Sequence, residues 1–427
     1  MTISQLYDCF LACNGVSTDT RQIVEGCLFV ALRGDKFDGN IYAKDALEKG
    51  AKYAIVDNSE YAVDNRFLLV ENSLEALQQL ANHHRRQLNI PVVGLTGSNG
   101  KTTTKELIAA VLSKKFRTYA TKGNLNNHIG VPLTLLAIDK SYEMAVVEMG
   151  RNHQQEIALL SSIAEPTHGM ITNIGKAHLE GFGGIEGVRK GKGELFDWLS
   201  TSGGTVFVNG ANATLQEMAD ERNFSKKVLY LADATAPQLL EDAPLVIYKD
   251  AHQQTVHTHL TGRYNFENIA AALAIGAYFG VSDQDANNAV AEYNPTNNRS
   301  QILQKGSNTV IMDAYNANPS SMAAAIENFG KLKAERKMVI LGDMLELGDE
   351  SPAEHLALGK LVAAQKFDVV ILAGKLMQDA LSALPKAYYF PDKFSLHNWV
   401  IDHPQQNTHV LIKGSRGMGL ETVVPYL

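Results

Sequence analysis

Val92-Val93-Gly94-Leu95-Thr96-Gly97-Ser98-Asn99-Gly100-Lys101-Thr102-Thr103-Thr104 is the run on which the reading of this chain turns. Residues 92–96 read as a strand buried on both faces of a parallel sheet. A glycine-rich turn follows, and beyond it Leu107, Ile108, Val111 and Leu112 recur at helical spacing. Strand, glycine turn and helix together form the context of a phosphate-binding loop. Backbone N–H groups at the helix start cradle phosphates, a lysine neutralises them, and Thr102 offers a hydroxyl to Mg²⁺. The spacing departs from the general G-x-x-x-x-G-K-[ST] form, because Gly97 stands close before Gly100. A glycine turn with a chance lysine is the bland alternative. The flanking strand, the helix and the threonine run weigh against it.

Working outward, residues 144–148, 169–174 and 205–209 are further buried-strand candidates separated by helical stretches, which predicts a parallel sheet covered on both faces. Residues 27–32 and 53–56 alternate with helical pieces at 43–49 and 73–86, a small α/β module. After the polar break Asn294-Pro295-Thr296-Asn297-Asn298, strands at 309–312, 338–341, 369–372 and 410–412 alternate with helices at 320–332 and 353–365. The expected fold class is α/β in three domains, 1–87, 88–295 and 296–427. The middle one carries the phosphate loop on a parallel sheet, and the last is Rossmann-like.

Composition narrows the function. The chain has 427 residues, 45% hydrophobic and 20% charged, with 39 Lys and Arg against 46 Asp and Glu for a net charge of −7. Nothing in that balance tracks a nucleic-acid backbone. No window approaches the roughly 20 apolar residues of a membrane span, and residues 1–10 lack the basic start of a signal peptide. Cys9, Cys13 and Cys27 are too few and too odd for a disulfide framework; Cys9 and Cys13 read as buried small apolar residues. The expectation is a cytoplasmic enzyme in a reducing compartment.

Glu148 ends the strand 144–148, where an open parallel sheet faces its ligand crevice. A lone glutamate there is ordinarily a solvated strand end; beside a phosphate loop, a hard-cation ligand becomes the better reading. His178, alone, would stay unassigned, and Glu194 and Asp197 read as exposed helix charges.

Several motifs carry a resemblance. Residues 96–103 are similar to the T-G-[TS]-N-G-K-T-[ST] loop of the Mur ligases, the ATP-dependent amide-forming enzymes of peptidoglycan synthesis. Gly123-Asn124-Leu125-Asn126-Asn127-His128-Ile129-Gly130-Val131-Pro132, Ala177-His178-Leu179-Glu180-Gly181-Phe182 and Asp313-Ala314-Tyr315-Asn316-Ala317-Asn318-Pro319 resemble the branch that adds D-Ala-D-Ala to a UDP-MurNAc-tripeptide. So do Leu341-Gly342-Asp343-Met344-Leu345-Glu346-Leu347-Gly348 and Lys413-Gly414-Ser415-Arg416-Gly417.

The resemblance implies roles. ATP is held by Gly97, Ser98, Asn99, Gly100, Lys101, Thr102 and Thr103, with Asn265 and Asn268 at the adenine and Arg299 and Asp313 at the γ-phosphate and ribose. Lys413 is a further cation there. Mg²⁺ ligands are Thr102, Glu148 and His178, joined by Lys192 if that lysine is carbamoylated by CO₂. Lys190 competes with Lys192, which keeps the family's spacing from His178. Lys101, His178, Lys192 and Arg299 form the implied catalytic set. Ser17, Thr18, Asp19, Thr20 and Arg21, with Asn126 and Asn127, are implied to bind the UDP-sugar substrate. Asn40 stands where the family usually has a histidine. The implied partners are UDP-MurNAc-tripeptide and D-Ala-D-Ala, without nucleic acid, and the implied state is a monomer; the polar break at 294–298 is expected to be part of a hinge on which the third domain closes. A sister ligase, a folylpolyglutamate-type enzyme and a nucleotide-binding regulatory module are the competing readings.

Overall fold

The computed structural model describes residues 1–150, 152–233 and 236–427. The phosphate-loop strand, Val92–Thr96, lies inside a six-stranded sheet whose order is Lys226–Tyr230, Thr205–Asn209, His168–Ile171, Val92–Thr96, Met144–Glu148, Thr118–Ala120. All five pairings are parallel. Strand order reverses at Val92–Thr96, so the crevice past its carboxyl end is a topological switch point. The helix that follows, Lys101–Leu112, buries Leu107, Ile108, Val111 and Leu112 completely against this sheet. Each such side chain contributes roughly 1.5–3 kcal/mol of transfer free energy.

Before it stands a four-stranded parallel sheet of Val16–Ser17, Leu28–Val30, Tyr53–Val56 and Phe67–Leu69. Helix Ser73–Gln87 joins it to the middle sheet; His84, buried on that helix, meets Ile138 O through Nε2 at 2.7 Å and the Tyr7 hydroxyl through Nδ1 at 3.1 Å. The last sheet runs Gln301–Lys305, Asn308–Asp313, Thr408–Lys413, Arg336–Gly342, Val369–Ala373, Tyr388–Phe390. Its pairings are parallel except at the edge strand Gln301–Lys305.

Three departures from the sequence reading have local causes. The strand expected over 169–174 ends at Ile171. Residues 172–175 instead lace to the phosphate loop: Thr172 and Asn173 side chains donate to Asn99 O, and Asn99 N–H donates to Asn173 Oδ1. An antiparallel sheet of Gln238–Glu241, Ile247–Lys249 and Thr255–His257 was not expected, since its short strands carry mixed polar faces. Cys9 and Cys13 are half-buried rather than buried, and the Cys13 thiol donates to the Cys9 carbonyl at 3.2 Å; Cys27 is buried, and all three are free.

Candidate active site

The carboxyl ends of the middle and last sheets face one another across a cavity of about 500 Å³. Ser98, Asn99, Gly100, Lys101, Thr102, Thr103 and Glu148 line it from one side, and Arg299, Asp313, Tyr315, Glu346 and Lys413 from the other. His178, Asn126, Asn265 and Asn268 complete the set of sequence-singled residues that reach it.

The turn is shaped by glycine. Gly97 has φ +146°, and a Cβ there would sit 2.0 Å from Thr172 Oγ1. Gly100, at φ +80°, caps the helix with no side-chain hydrogen bond, leaving the first N–H groups of Lys101–Leu112 directed at the cavity. Lys101 Nζ donates back to Gly97 O at 2.6 Å and Ser98 O at 3.2 Å. Burial pushes its pKa down to about 8, Arg299 pushes the same way, and Glu148 opposes both. Two cations face each other here, and an anion between them is what relieves their repulsion.

Arg299 stands between Asn298 and Ser300, both in left-handed backbone, and its guanidinium lies 3.5 Å from the centroid of Tyr315. Its Nε is buried without a hydrogen-bond partner. Lys413 donates to Asp313 Oδ2 at 2.6 Å, a pairing set by the register in which those two strand-end residues are neighbours. Asn265 donates to Thr261 O at 2.8 Å, and Asn268 donates to Asn265 Oδ1 at 3.0 Å. Asn268 Oδ1 lies 2.7 Å from where a Cβ on Gly100 would be, so the asparagine packs onto the phosphate loop itself.

Glu148 suits a hard cation. Oε1 accepts from Asn126 Nδ2 at 2.7 Å, whereas Oε2 is buried with no hydrogen bond and has the Lys105 ammonium at 3.8 Å. Among the described residues no three His, Cys, Asp or Glu side chains gather into a ready-made cage. A hard cation here would need oxygens beyond Glu148, which the Thr102 hydroxyl and a nucleotide's phosphates could supply, in the manner of Mg²⁺.

His178 Nδ1 meets Glu346 Oε2 across the boundary between the middle and last domains. Both residues have left-handed backbone, as does Ser300; these are three of nine such non-glycine residues among those described, and all three line the cavity. Backbone strain of this kind costs of order 1–3 kcal/mol per residue and gathers at functional sites.

Lys192 is buried beneath the ring of Phe182, with Nζ 4.9 Å from its centroid, while Lys190 is exposed. Burial, helped by Lys101, holds the Lys192 ammonium well below the usual lysine range. Neither Lys192 nor Gly97 is among the cavity-lining residues.

The first domain's candidates lie elsewhere. Asp19 grips Arg21 at 2.7 Å, and that contact holds its carboxyl at about 2; Ser17 donates to Asp19 O. None of Ser17, Thr18, Asp19, Thr20, Arg21 or Asn127 lines the cavity. Asn127 Oδ1 accepts from the N–H groups of Ile129 and Gly130, holding the start of helix Gly130–Leu136. Asn40 is fully buried and bonds Asp38, Asp57 Oδ1 and Asp57 N–H, so it ties two loops together. Glu194, read as an exposed helix charge, is half-buried and accepts from the N–H groups of Gln155 and Ala158, capping helix Glu156–Ala164; Asp197 is exposed, as read, and pairs with Arg222.

Sequence reasoning missed Lys105, Tyr264, Asn318 and Glu346 as parts of this site. Asn318 Nδ2 donates to Asn99 Oδ1 at 2.7 Å, and Lys176 N–H donates to Ser320 Oγ at 2.9 Å, so the start of helix Pro319–Lys331 sits against the phosphate loop. Tyr315, Asn318 and Glu346 fall inside motifs quoted above; their signal was present, their direction was not.

Residues 13–85, 95–276 and 298–416 match, respectively, the Mur ligase family catalytic domain, the Mur ligase middle domain and the Mur ligase glutamate ligase domain. A UDP-N-acetylmuramoyl-tripeptide--D-alanyl-D-alanine ligase of Bacillus subtilis (strain 168) is 37% identical, over 96% of this chain and 92% of the relative. The Escherichia coli (strain K12) protein of the same name is 35% identical over 99% and 97%. In structure, the chain is similar to MurF from Acinetobacter baumannii, with a TM-score of 0.86 and 32% identity over 99% of this chain and 97% of that one. MurF ligase from Thermotoga maritima, in complex with ADP, superposes with a TM-score of 0.84 at 26% identity over 98% and 97%.

Proposed function

The chain belongs to the Mur ligase family, and from that premise we propose that it joins D-alanyl-D-alanine to UDP-N-acetylmuramoyl-tripeptide in an ATP-driven reaction of peptidoglycan synthesis. The observation that carries this reading is the convergence of Lys101, Arg299 and Lys413, from two domains, on one cavity at a phosphate loop. No helix among the described residues is long and apolar enough to cross a membrane.

In the proposed reaction a carboxylate oxygen of the tripeptide bonds to the γ-phosphorus of ATP as the bond to ADP breaks. The dipeptide amine then attacks the acyl carbon, phosphate departs, and the amine loses a proton as the amide forms. Two anions must meet in the first step, so the protein's work is neutralisation and alignment. Lys101 exchanges the carbonyls of Gly97 and Ser98 for phosphate oxygens, and Arg299 approaches the γ-phosphate from the opposite side. Asp313, steadied by Lys413, takes the ribose, and Asn265 and Asn268 take the adenine edge. Mg²⁺, held by Glu148, Thr102 and His178, would supply further neutralisation of the polyphosphate. His178, which bonds Glu346 here, would have to give up that partner to hold the ion through Nδ1.

Lys192 is proposed to carry a carbamate. Its ammonium is destabilised by burial, and the neutral amine is the form that adds CO₂ and loses a proton to become a carboxylate-like oxygen ligand. Ser17 to Arg21, with Asn126 and Asn127, are proposed to face the UDP-sugar.

Phosphate release from ATP and Mg²⁺ tests the reading. Release that requires both UDP-MurNAc-tripeptide and D-Ala-D-Ala, with a product heavier by the dipeptide, is expected. Release with a single amino acid would move the chain to a sister ligase, and none in any combination would refute the reaction.

A further inference from the structure

The segment that leads into Arg299 is held by a residue no motif singled out. Glu106 lies on the phosphate-loop helix Lys101–Leu112. Its Oε2 accepts from the Tyr293 hydroxyl at 2.6 Å, and its Oε1 accepts from Asn297 Nδ2 at 3.0 Å. Lys105 Nζ stands 3.6 Å from Oε1 and 3.8 Å from Glu148 Oε2, so the same buried lysine faces both carboxylates.

Tyr293 closes helix Asp283–Glu292, and Asn297 lies just ahead of Arg299. Beyond Arg299, Ser300 N–H donates to Asp313 Oδ1 at 3.2 Å and Ser300 Oγ meets the Tyr264 hydroxyl at 2.8 Å. The connector is therefore pinned on both sides of the arginine: by Glu106 before it, and by Asp313 and Tyr264 after it. Between these pins, Asn298 and Ser300 take left-handed backbone, and Arg299 Nε is left buried and unbonded at the cavity. A loop of unrestrained residues would relax away from such a conformation.

We propose that Glu106 is a positioning residue for Arg299: its two-pronged grip on Tyr293 and Asn297 ties the connector to the phosphate-loop helix and so fixes the guanidinium at the γ-phosphate end of the nucleotide site. The proposal rests on the assignment of Arg299 to the γ-phosphate made above. It separates Glu106 from a residue that merely steadies the domain boundary. A grip acting through Arg299 matters to a nucleotide with a γ-phosphate and not to one without.

The test is a calorimetric titration of the full chain with Mg²⁺ and either ADP or a non-hydrolysable ATP analogue, which needs no other substrate. Glu106→Ala should weaken the ATP analogue by about tenfold, the scale of a lost charged hydrogen bond, and leave ADP within about twofold. In an Arg299→Ala background the same change should cost nothing further. Should Glu106→Ala unfold, Tyr293→Phe with Asn297→Ala removes both donors from the opposite side, with the same expected selectivity. Equal weakening of both nucleotides overturns the proposal, as does a full tenfold loss in the Arg299→Ala background. If Arg299→Ala alone spares the ATP analogue, both the proposal and the Arg299 assignment fall. Failure of ligation with this selectivity intact would refute the reaction and leave the positioning role standing.

Discussion

The two lips of the cavity are built differently. On the middle-domain lip, residues 97–103 take their shape from neighbours in the same sheet: Gly97 against Thr172, Asn99 against Asn173, and Lys101 folded onto its own loop. On the last-domain lip, Asp313 and Lys413 lie 100 residues apart in sequence and meet only through strand register. Glu346 reaches the site because Met344 N–H is bonded to buried His355 Nε2 and Leu345 N–H to Ser415 Oγ. The first lip is shaped mostly within one sheet, by its own strand and helix and by residues 172–175 at the end of the neighbouring strand. The second exists only as far as the last domain is folded and docked.

That contrast can be tested in order of expected effect. Lys101→Ala should lower the rate of phosphate release by on the order of 10²–10³ while leaving the far-ultraviolet circular dichroism unchanged. Full activity in that variant would place the phosphates elsewhere. Lys192→Ala should lose about 10–100-fold in activity through weakened metal binding and recover part of it with short carboxylic acids. Lys190→Ala should do neither, and wild-type activity in Lys192→Ala would remove the carbamate.

Asn318→Ala strikes the docked lip. Its side chain accepts from Ser321 N–H as the cap of helix Pro319–Lys331 and donates to Asn99, so its loss should cost about 1 kcal/mol in chemical denaturation. Lys101→Ala, by comparison, should leave the denaturation midpoint almost unmoved.

The smallest expected effect lies at the other boundary of the middle domain. Burial lowers the pKa of His84 from its usual value, so the folded state favours the neutral imidazole. Its contribution is intact above the unfolded pKa of about 6.5 and is lost as pH falls through the lower folded value. Thermal melts between pH 7 and pH 5 should show a steeper decline for the native chain than for His84→Gln. Identical slopes would mean that His84 does not govern that boundary.

Much of this was legible in the residues. The strands at 53–56, 144–148 and 205–209 were readable to the residue, because continuous apolar runs bounded by turns admit few other conformations. The small sheet at 238–257 was not, because three- and four-residue strands of mixed polarity are too short to show a period. Glu148 was marked by its place at a strand end next to a phosphate loop. Lys105 and Glu106, directly after the threonine run, look like ordinary helix-surface charges until Glu148, Tyr293 and Asn297 are brought beside them.

By itself the sequence determined what short-range chemistry can settle: a parallel α/β scaffold, a phosphate loop with its lysine, and the motifs of a Mur ligase. Hydrophobic periodicity and glycine backbone freedom act over a few residues, so a linear reading captures them. Only the tertiary structure decided that His178 meets Glu346, that Lys192 rather than Lys190 is buried, and that Glu106 holds the segment before Arg299. Those pairings depend on side-chain direction and on how two sheets dock. Distances along the chain do not encode either of them.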